Sequence, residues 1–330
     1  MSSPPAPGAP SWFLGVAVCI AVAVGLALLE QVSPALPGPM IAIAAGVGLG
    51  RIWGRSLAPG ATLAGPILLR SGIVLLGARL SMDQVRAVGL DAALVIVPCV
   101  VIGALAAWMV ARRLGLPLSL CALLAVGTAI CGNSAIAACA PLIRTNEDEV
   151  ATAIATITVY GTFALVAFPL IGAALGLSSH EFGLWAGAAI NDTSQVVASA
   201  FSFSTSAGAT ATIVKLTRNL FILAAVVVVP ALPALRRPGR SANSIARAVP
   251  WFVFGFVALA AFVSLVDVPE NILELAGTAS KVLILAALVG IGVRAMSLQL
   301  NRSLAKPLLV GLGAGVLVAA VGLGTTAWVT

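Results

Sequence analysis

Charge is what this sequence has least of. Only 9% of its 330 residues are charged, 60% are apolar, and the mean hydropathy is +1.12. A soluble domain carries about 25% charged residues, so that class is excluded. Histidine is almost missing: His180 is the single one, beside Glu181 in a short polar loop. Cysteine is sparse and unpaired in sequence. Cys19, Cys99, Cys121, Cys131 and Cys139 all lie in apolar runs and form no Cys-x-x-Cys, which points to small buried residues and away from disulfides or metal ligands. There is no Walker motif and no sizeable polar domain, so direct drive by ATP is not expected. The first ten residues lack the positive charge of a signal peptide.

Long uncharged runs are there in their place. Residues 150–179 carry no charge at all, which exceeds the ~20 residues of a membrane-spanning helix. A transmembrane β-barrel would instead show short alternating segments. The expected fold class is therefore an all-α polytopic membrane protein of about 10–11 helices. Its candidate spans are 12–29, 39–51, 63–79, 90–113, 118–143, 150–176, 181–200, 211–235, 248–266, 271–295 and 306–329. A disordered tail, 1–11, precedes a single membrane domain, 12–330.

The net charge of +7 does not point to nucleic acid, because the arginines sit mainly in short loops, where they set orientation. Arg236, Arg237, Arg240 and Arg247 mark one cytoplasmic loop, and Arg302 with Lys306 another. Counting back puts Arg112 and Arg113, Arg51 and Arg55, and the N-terminus inside, with the C-terminus outside. The mixed group Arg79, Asp83, Arg86 and Asp91 falls outside and fits this less well.

Two stretches break the apolar pattern. In Gly127–Pro141 the middle is Gly132-Asn133-Ser134, poor material for a helix interior and worse in hydrocarbon. Ile190-Asn191-Asp192-Thr193-Ser194-Gln195 is the second. Both read as interruptions at a substrate site. Asn133 and Ser134 have donors for an oxyanion, and Thr128 and Thr278 are expected to mark half-helix ends, where exposed N–H groups favour anions. Small polar residues also bond between helices, which is the plainer account.

Ionisable groups inside spans are costly and mark function by default. Lys215 and Arg218 are three apart and share a helix face, where two cations need something anionic nearby. Asp192 can neutralise one of them and a translocated anion the other. Snorkelling from a span end is the competing account. Lys281 lies about ten residues into its span, where snorkelling is harder.

Repeats are present at two levels. Gly127-Thr128-Ala129 recurs as Gly277-Thr278-Ala279, and Gly77-Ala78-Arg79 as Gly292-Val293-Arg294. The two members of each pair run in opposite directions, the pattern of an inverted-repeat carrier. Separately, 127–140 and 187–200 match at seven of fourteen positions, counting Ile136 with Val196. The span count makes those two parallel. Either that match reflects small-residue packing, or one segment turns back within the membrane.

Four blocks in order resemble the YeiH-type sulfate exporter family of bacterial inner-membrane proteins. They are residues 127–138, Glu147–Thr158, Phe182–Ala198 and Thr212–Arg218. The resemblance runs from about residue 40 to the end. It implies a fold like the bile-acid/sodium symporters and sodium/proton antiporters, with core and panel subdomains interleaved and interrupted helices crossing. It also implies export of an inorganic or sulfonated anion across the inner membrane. Asn133 departs from an apolar or small position of the pattern. Asn191 departs from a histidine that often precedes the aspartate, which bears on proton coupling.

The residues and the resemblance together lead us to expect a secondary transporter of a sulfate-like oxyanion working by alternating access, without a cofactor. Thr128, Gly132, Asn133, Ser134, Lys215, Arg218 and Lys281 are the expected substrate site. Asp192, Thr193 and Gln195 are expected to hold an ion pair or a coupling Na+ or H+. The bilayer is the other partner, and fold analogy extends to a homodimer. The alternatives are a cation/proton exchanger built on Asp192 and Lys281, an intramembrane enzyme, and a structural subunit.

Overall fold

The computed structural model describes residues 10–32, 38–79, 82–235, 251–295 and 304–330. Among them there is helix and no strand, as an all-α membrane protein requires. Seven helices are long and apolar enough to cross a membrane, and shorter apolar helices lie between them. Most of the expected tail, residues 1–9, and the loop with Arg236, Arg237, Arg240 and Arg247 lie outside the described residues, as does Arg302.

The chain divides into two compact units that interleave in sequence. The first holds α1 (Pro10–Val32), α2 (Gly38–Leu76, kinked at Trp53), most of α11 (Trp251–Leu265) and α12 (Glu270–Ala295). Its helices pack through glycine. A Cβ built on Gly46 would lie 3.0 Å from the Gly292 Cα and nearer still to the Val289 carbonyl oxygen. With no side chain at either residue, backbone meets backbone, as in membrane helix pairs joined by small residues. α12 runs unbroken through Gly277-Thr278-Ala279. The expected interruption there is absent, because this Gly-Thr-Ala lacks the Gly-Asn-Ser that follows residues 127–129. Gly77–Arg79 forms a 3-10 turn whereas 292–294 is α-helical, so the second triplet pair has no common conformation either.

The second unit contains α3 (Met82–Arg113), α4 (Leu118–Ala129), α5 (Asn133–Cys139), α6 (Glu147–Ala174), α7 (Ser179–Ala189), α8 (Thr193–Phe203), α9 (Thr205–Asn219), α10 (Ile222–Ala231) and α13 (Ala305–Val329). Its polar joints are capped from the sequence. Asn146 accepts the Glu149 N–H to start α6, Ser178 and Glu181 form a capping box at α7, and Ser204 accepts the Ala207 N–H at α9.

Two stretches read above as crossings turn back. α7 and α8 form a hairpin: Ser204 Oγ donates to Ser179 Oγ at 2.8 Å, and the rings of Phe182 and Phe203 stack at 4.1 Å. The end of α8 has therefore returned to the start of α7. α4 and α5 form a second hairpin, entering from the opposite end. Lys306, at the start of α13, donates to the Leu114 carbonyl, while Thr330, just past its end, meets Glu181. Leu114 is thus at the end of the unit away from α7. Arg144 N–H bonds the Leu235 carbonyl, one full-length helical path (α9 and α10) away from Ser204. So the hairpin begins beside Leu114 and ends at Arg144, on one end of the unit. The match between 127–140 and 187–200 is the genuine inverted pair, and its two members run in opposite directions. The stretch 118–143, expected as a crossing, is therefore a hairpin that brings Glu147 back to the end of the unit that holds Arg112.

Gly46→Val drives a side chain into the α12 backbone and should cost about 1–3 kcal/mol. Gly48→Ala meets open space and should stay near wild type when detergent-solubilised protein is melted. For the hairpins, single cysteines at Arg112 and Glu147 should react with an impermeant maleimide from one face of the membrane, and one at His180 from the other.

Candidate functional site

The residues at the hairpin tips, 130–132 and 190–192, do not continue a helix. In the first tip, α4 ends at Ala129 and Gly132 takes φ +62°. Residues with a Cβ rarely adopt this conformation. A Cβ on Gly132 would also lie 3.5 Å from the Asp192 Cα, so the two tips touch there. In the second, Ile190 and Asp192 are extended, at φ −75° and −88°.

Each tip leaves helix C-terminal carbonyls without helical partners at the middle of the unit. Lys215 and Arg218 fill that need. They stand on α9, which runs alongside α7, and both side chains are 0% exposed. Lys215 Nζ donates to the Ile130 and Ile190 carbonyls, each at 2.9 Å. Arg218 Nε donates to Ala129 O at 2.9 Å and its Nη2 to Thr128 O at 2.7 Å. Its Nη1 reaches Ala188 O at 2.6 Å and Ile190 O at 3.1 Å. Each cation thus bridges both hairpins and sits at the negative ends of α4 and α7. Snorkelling is not what these side chains do.

The helices leaving the tips start with polar residues. Asp192 caps α8, its Oδ1 accepting the Ser194 N–H at 2.9 Å and a short bond from Ser194 Oγ. Asn133 opens α5 and donates through Nδ2 to Thr158 Oγ1 at 3.3 Å. Thr158 Oγ1 itself donates to Ile154 O, so it must accept from Asn133, which fixes the amide with its oxygen free. Gln195 Nε2 donates to Thr158 O at 3.2 Å, and Asn219 Nδ2 to Thr193 Oγ1 at 3.4 Å. Asn133 Oδ1, Gln195 Oε1, Asn219 Oδ1, Thr128 Oγ1 and both amide atoms of Asn191 are buried without a hydrogen-bond partner among the described residues. Ser134 is half-buried on the first turn of α5.

Nine of the ten expected site residues therefore fall in one unit, at or beside the tip contact: Thr128, Gly132, Asn133, Ser134, Asp192, Thr193, Gln195, Lys215 and Arg218. Lys281 does not. It is an exposed residue of α12, in the first unit. Thr158 and Asn219 were not singled out from sequence. Both lie within or next to the polar blocks 147–158 and 212–218, and the step from polar to apolar along α6 was the available signal.

Two hairpins entering from opposite ends, among seven helices long and apolar enough to cross a membrane, define an all-α polytopic membrane protein. The chain belongs to the family described as conserved hypothetical protein 698, which it matches over residues 13–311. This is the YeiH family that the four sequence blocks resemble. A UPF0324 membrane protein of Streptococcus agalactiae serotype V is 33% identical over 307 residues, covering 90% of this chain and 91% of its own. Another, of Vibrio parahaemolyticus, is 34% identical over 256 residues, covering 78% and 82%. No solved structure matches the chain.

The cation bridge yields a test. Arg218→Lys cannot reach four carbonyls on two hairpins, and each buried carbonyl left unpaired costs about 1–3 kcal/mol. Its melting temperature should fall far more than that of Lys306→Ala, an exposed side chain with one 3.3 Å contact.

Proposed function

We propose that this protein is a secondary transporter of a small inorganic or sulfonated oxyanion, sulfate-like, moving it by alternating access at the tip contact. One observation carries the reading: two broken hairpins meet in the middle of the unit around the fully buried Lys215 and Arg218. Irregular backbone at membrane depth is tolerated where it is buried or lines a cavity, and facing broken helices are where carriers bind substrate. Lys215 and Arg218 set two basic side chains against one carboxylate, Asp192, at the tips. That surplus, with the N-termini of α5 and α8, favours an anion. The cations act mainly as field, since most of their hydrogens are committed to carbonyls. In this reading Ser134 and the start of α5 supply donors to the anion. Asp192, Thr193 and Gln195 form the edge at which a coupling ion acts.

The location we propose is the bacterial inner membrane, with the C-terminus external. In the second unit Arg112, Arg113, Arg144 and Lys306 gather at one end and Thr330 lies at the other, which supports that orientation. The homodimer remains part of the proposal by analogy of fold.

A cation/proton exchanger is the second reading. It is favoured by the unpartnered oxygens of Asn133, Gln195 and Asn219. Counterflow of radiolabelled sulfate in proteoliposomes separates the two. The anion carrier predicts sulfate-specific counterflow that Ser134→Ala and Asn133→Ala each reduce by tenfold or so, the effect of about 1.4 kcal/mol. Intact protein that shows no counterflow but responds to sodium or pH gradients would sink the anion reading.

A further inference from the structure

We infer that Asn191 bonds the transported anion directly, through the side-chain N–H groups that the tips leave uncommitted. The inference rests on the anion-carrier reading above and adds a residue to its site. An oxyanion taken out of water needs hydrogen-bond donors as well as a positive field. Four carboxamides stand at or beside the tips: Asn133, Asn191, Gln195 and Asn219. Three of them have given a donor to the protein itself. Asn133 Nδ2 bonds Thr158 Oγ1, Gln195 Nε2 bonds the Thr158 carbonyl, and Asn219 Nδ2 bonds Thr193 Oγ1. The cations are committed too. Lys215 Nζ has two of its three hydrogens on carbonyls, and Arg218 makes four bonds to carbonyls with its five N–H groups.

Asn191 is different. Among the described residues neither its Nδ2 nor its Oδ1 has a hydrogen-bond partner, although the residue is 0% exposed. A buried carboxamide left in that state costs stability, and such groups are rare in folded proteins. The backbone places it at the tip contact. The carbonyl before it, Ile190 O, takes Lys215 Nζ at 2.9 Å and Arg218 Nη1 at 3.1 Å. The residue after it, Asp192, caps α8. A Cβ on Gly132 of the facing hairpin would lie 3.5 Å from the Asn191 carbonyl carbon. Asn191 is therefore held between the two hairpins, next to the carbonyl that both cations share.

A neutral donor suits this place. A carboxamide brings two N–H groups and no net charge, so it bonds an oxyanion without adding a third buried cation to Lys215 and Arg218. The first hairpin has a counterpart. Thr128 Oγ1 is also buried without a partner among the described residues, and the Thr128 carbonyl takes Arg218 Nη2. Each hairpin thus keeps an uncommitted donor in or beside a residue whose carbonyl holds Arg218. An anion that takes both donors is held from the two hairpins at once. In the empty protein the unpaired Asn191 amide is a local instability that the anion relieves. Stability given up for binding is the mark of a site residue.

Asn191→Ala tests this, since no described residue loses a hydrogen bond when the amide is removed. The full-length protein in nanodiscs is melted without sulfate, and its equilibrium binding of radiolabelled sulfate is then measured. Without sulfate the variant should melt at or above the wild-type temperature. Its sulfate affinity should fall by about ten- to hundredfold, the effect of losing hydrogen bonds to a charged partner. Added sulfate should accordingly raise the melting temperature of wild type far more than that of the variant. A structural amide would behave in the opposite way. A variant that melts well below wild type, or does not fold, overturns the inference. So does a folded variant that binds sulfate as tightly as wild type. Folded wild type that binds no sulfate would overturn the sulfate-carrier reading itself, a result distinct from either of these.

Discussion

The two hairpins depend on how their broken ends are satisfied. Stopping a helix halfway across a membrane exposes carbonyls in a place without water, at several kcal/mol or so for each unsatisfied group. Arg218 resolves this for both hairpins at once, bonding Thr128 and Ala129 on one side and Ala188 and Ile190 on the other. Lys215 repeats the bridge from Ile130 to Ile190. Burying two cations three residues apart is itself unfavourable. It becomes tolerable because each faces the negative end of a half-helix and because Asp192 lies across the contact. Neither the cations nor the breaks would be stable without the other.

Glycine makes room for that arrangement. Gly132 bends the first tip and lets the second come against it. In the separate first unit, Gly46 and Gly292 do a related job with a different purpose, bringing two helices to backbone contact. Packing there is backbone against backbone and needs no charge, whereas at the tips two charged side chains, Lys215 and Arg218, tie the hairpins together. The two units thus use opposite solutions to the lack of a hydrophobic driving force in lipid.

Much of this was legible in the sequence, and the failures have physical causes. Uncharged runs such as 150–179 identify the membrane class, and Gly132-Asn133-Ser134 and Asn191–Gln195 stand out because helix and hydrocarbon both disfavour them. The i, i+3 spacing of Lys215 and Arg218 places them on one face, as the structure has it. What was not legible is the direction of the chain after a break, since a helix that stops carries no local record of the angle at which the next begins. Both hairpins were therefore read as crossings. Two such errors cancel in the count, so Lys306 and Leu114, next to Arg113, still share one end of the unit and Thr330 lies at the other. The partners of the cations were hidden for another reason: backbone carbonyls have no sequence signature, so Asp192 looked like the natural counter-charge. Lys281 was chosen for depth in its span alone, and depth does not say which way a side chain faces.

The hairpins also divide the unit electrically. α4, with twelve residues, reaches about 18 Å, and α7, with eleven, about 16 Å. Each is close to half the ~30 Å hydrocarbon thickness. The tip contact therefore lies near the same electrical depth from either bath. A charge passing from solution to the tips moves through roughly half of the transmembrane field, about 1.2 kcal/mol per elementary charge at 100 mV. Voltage then weighs almost equally on a charge that reaches the tips from either side.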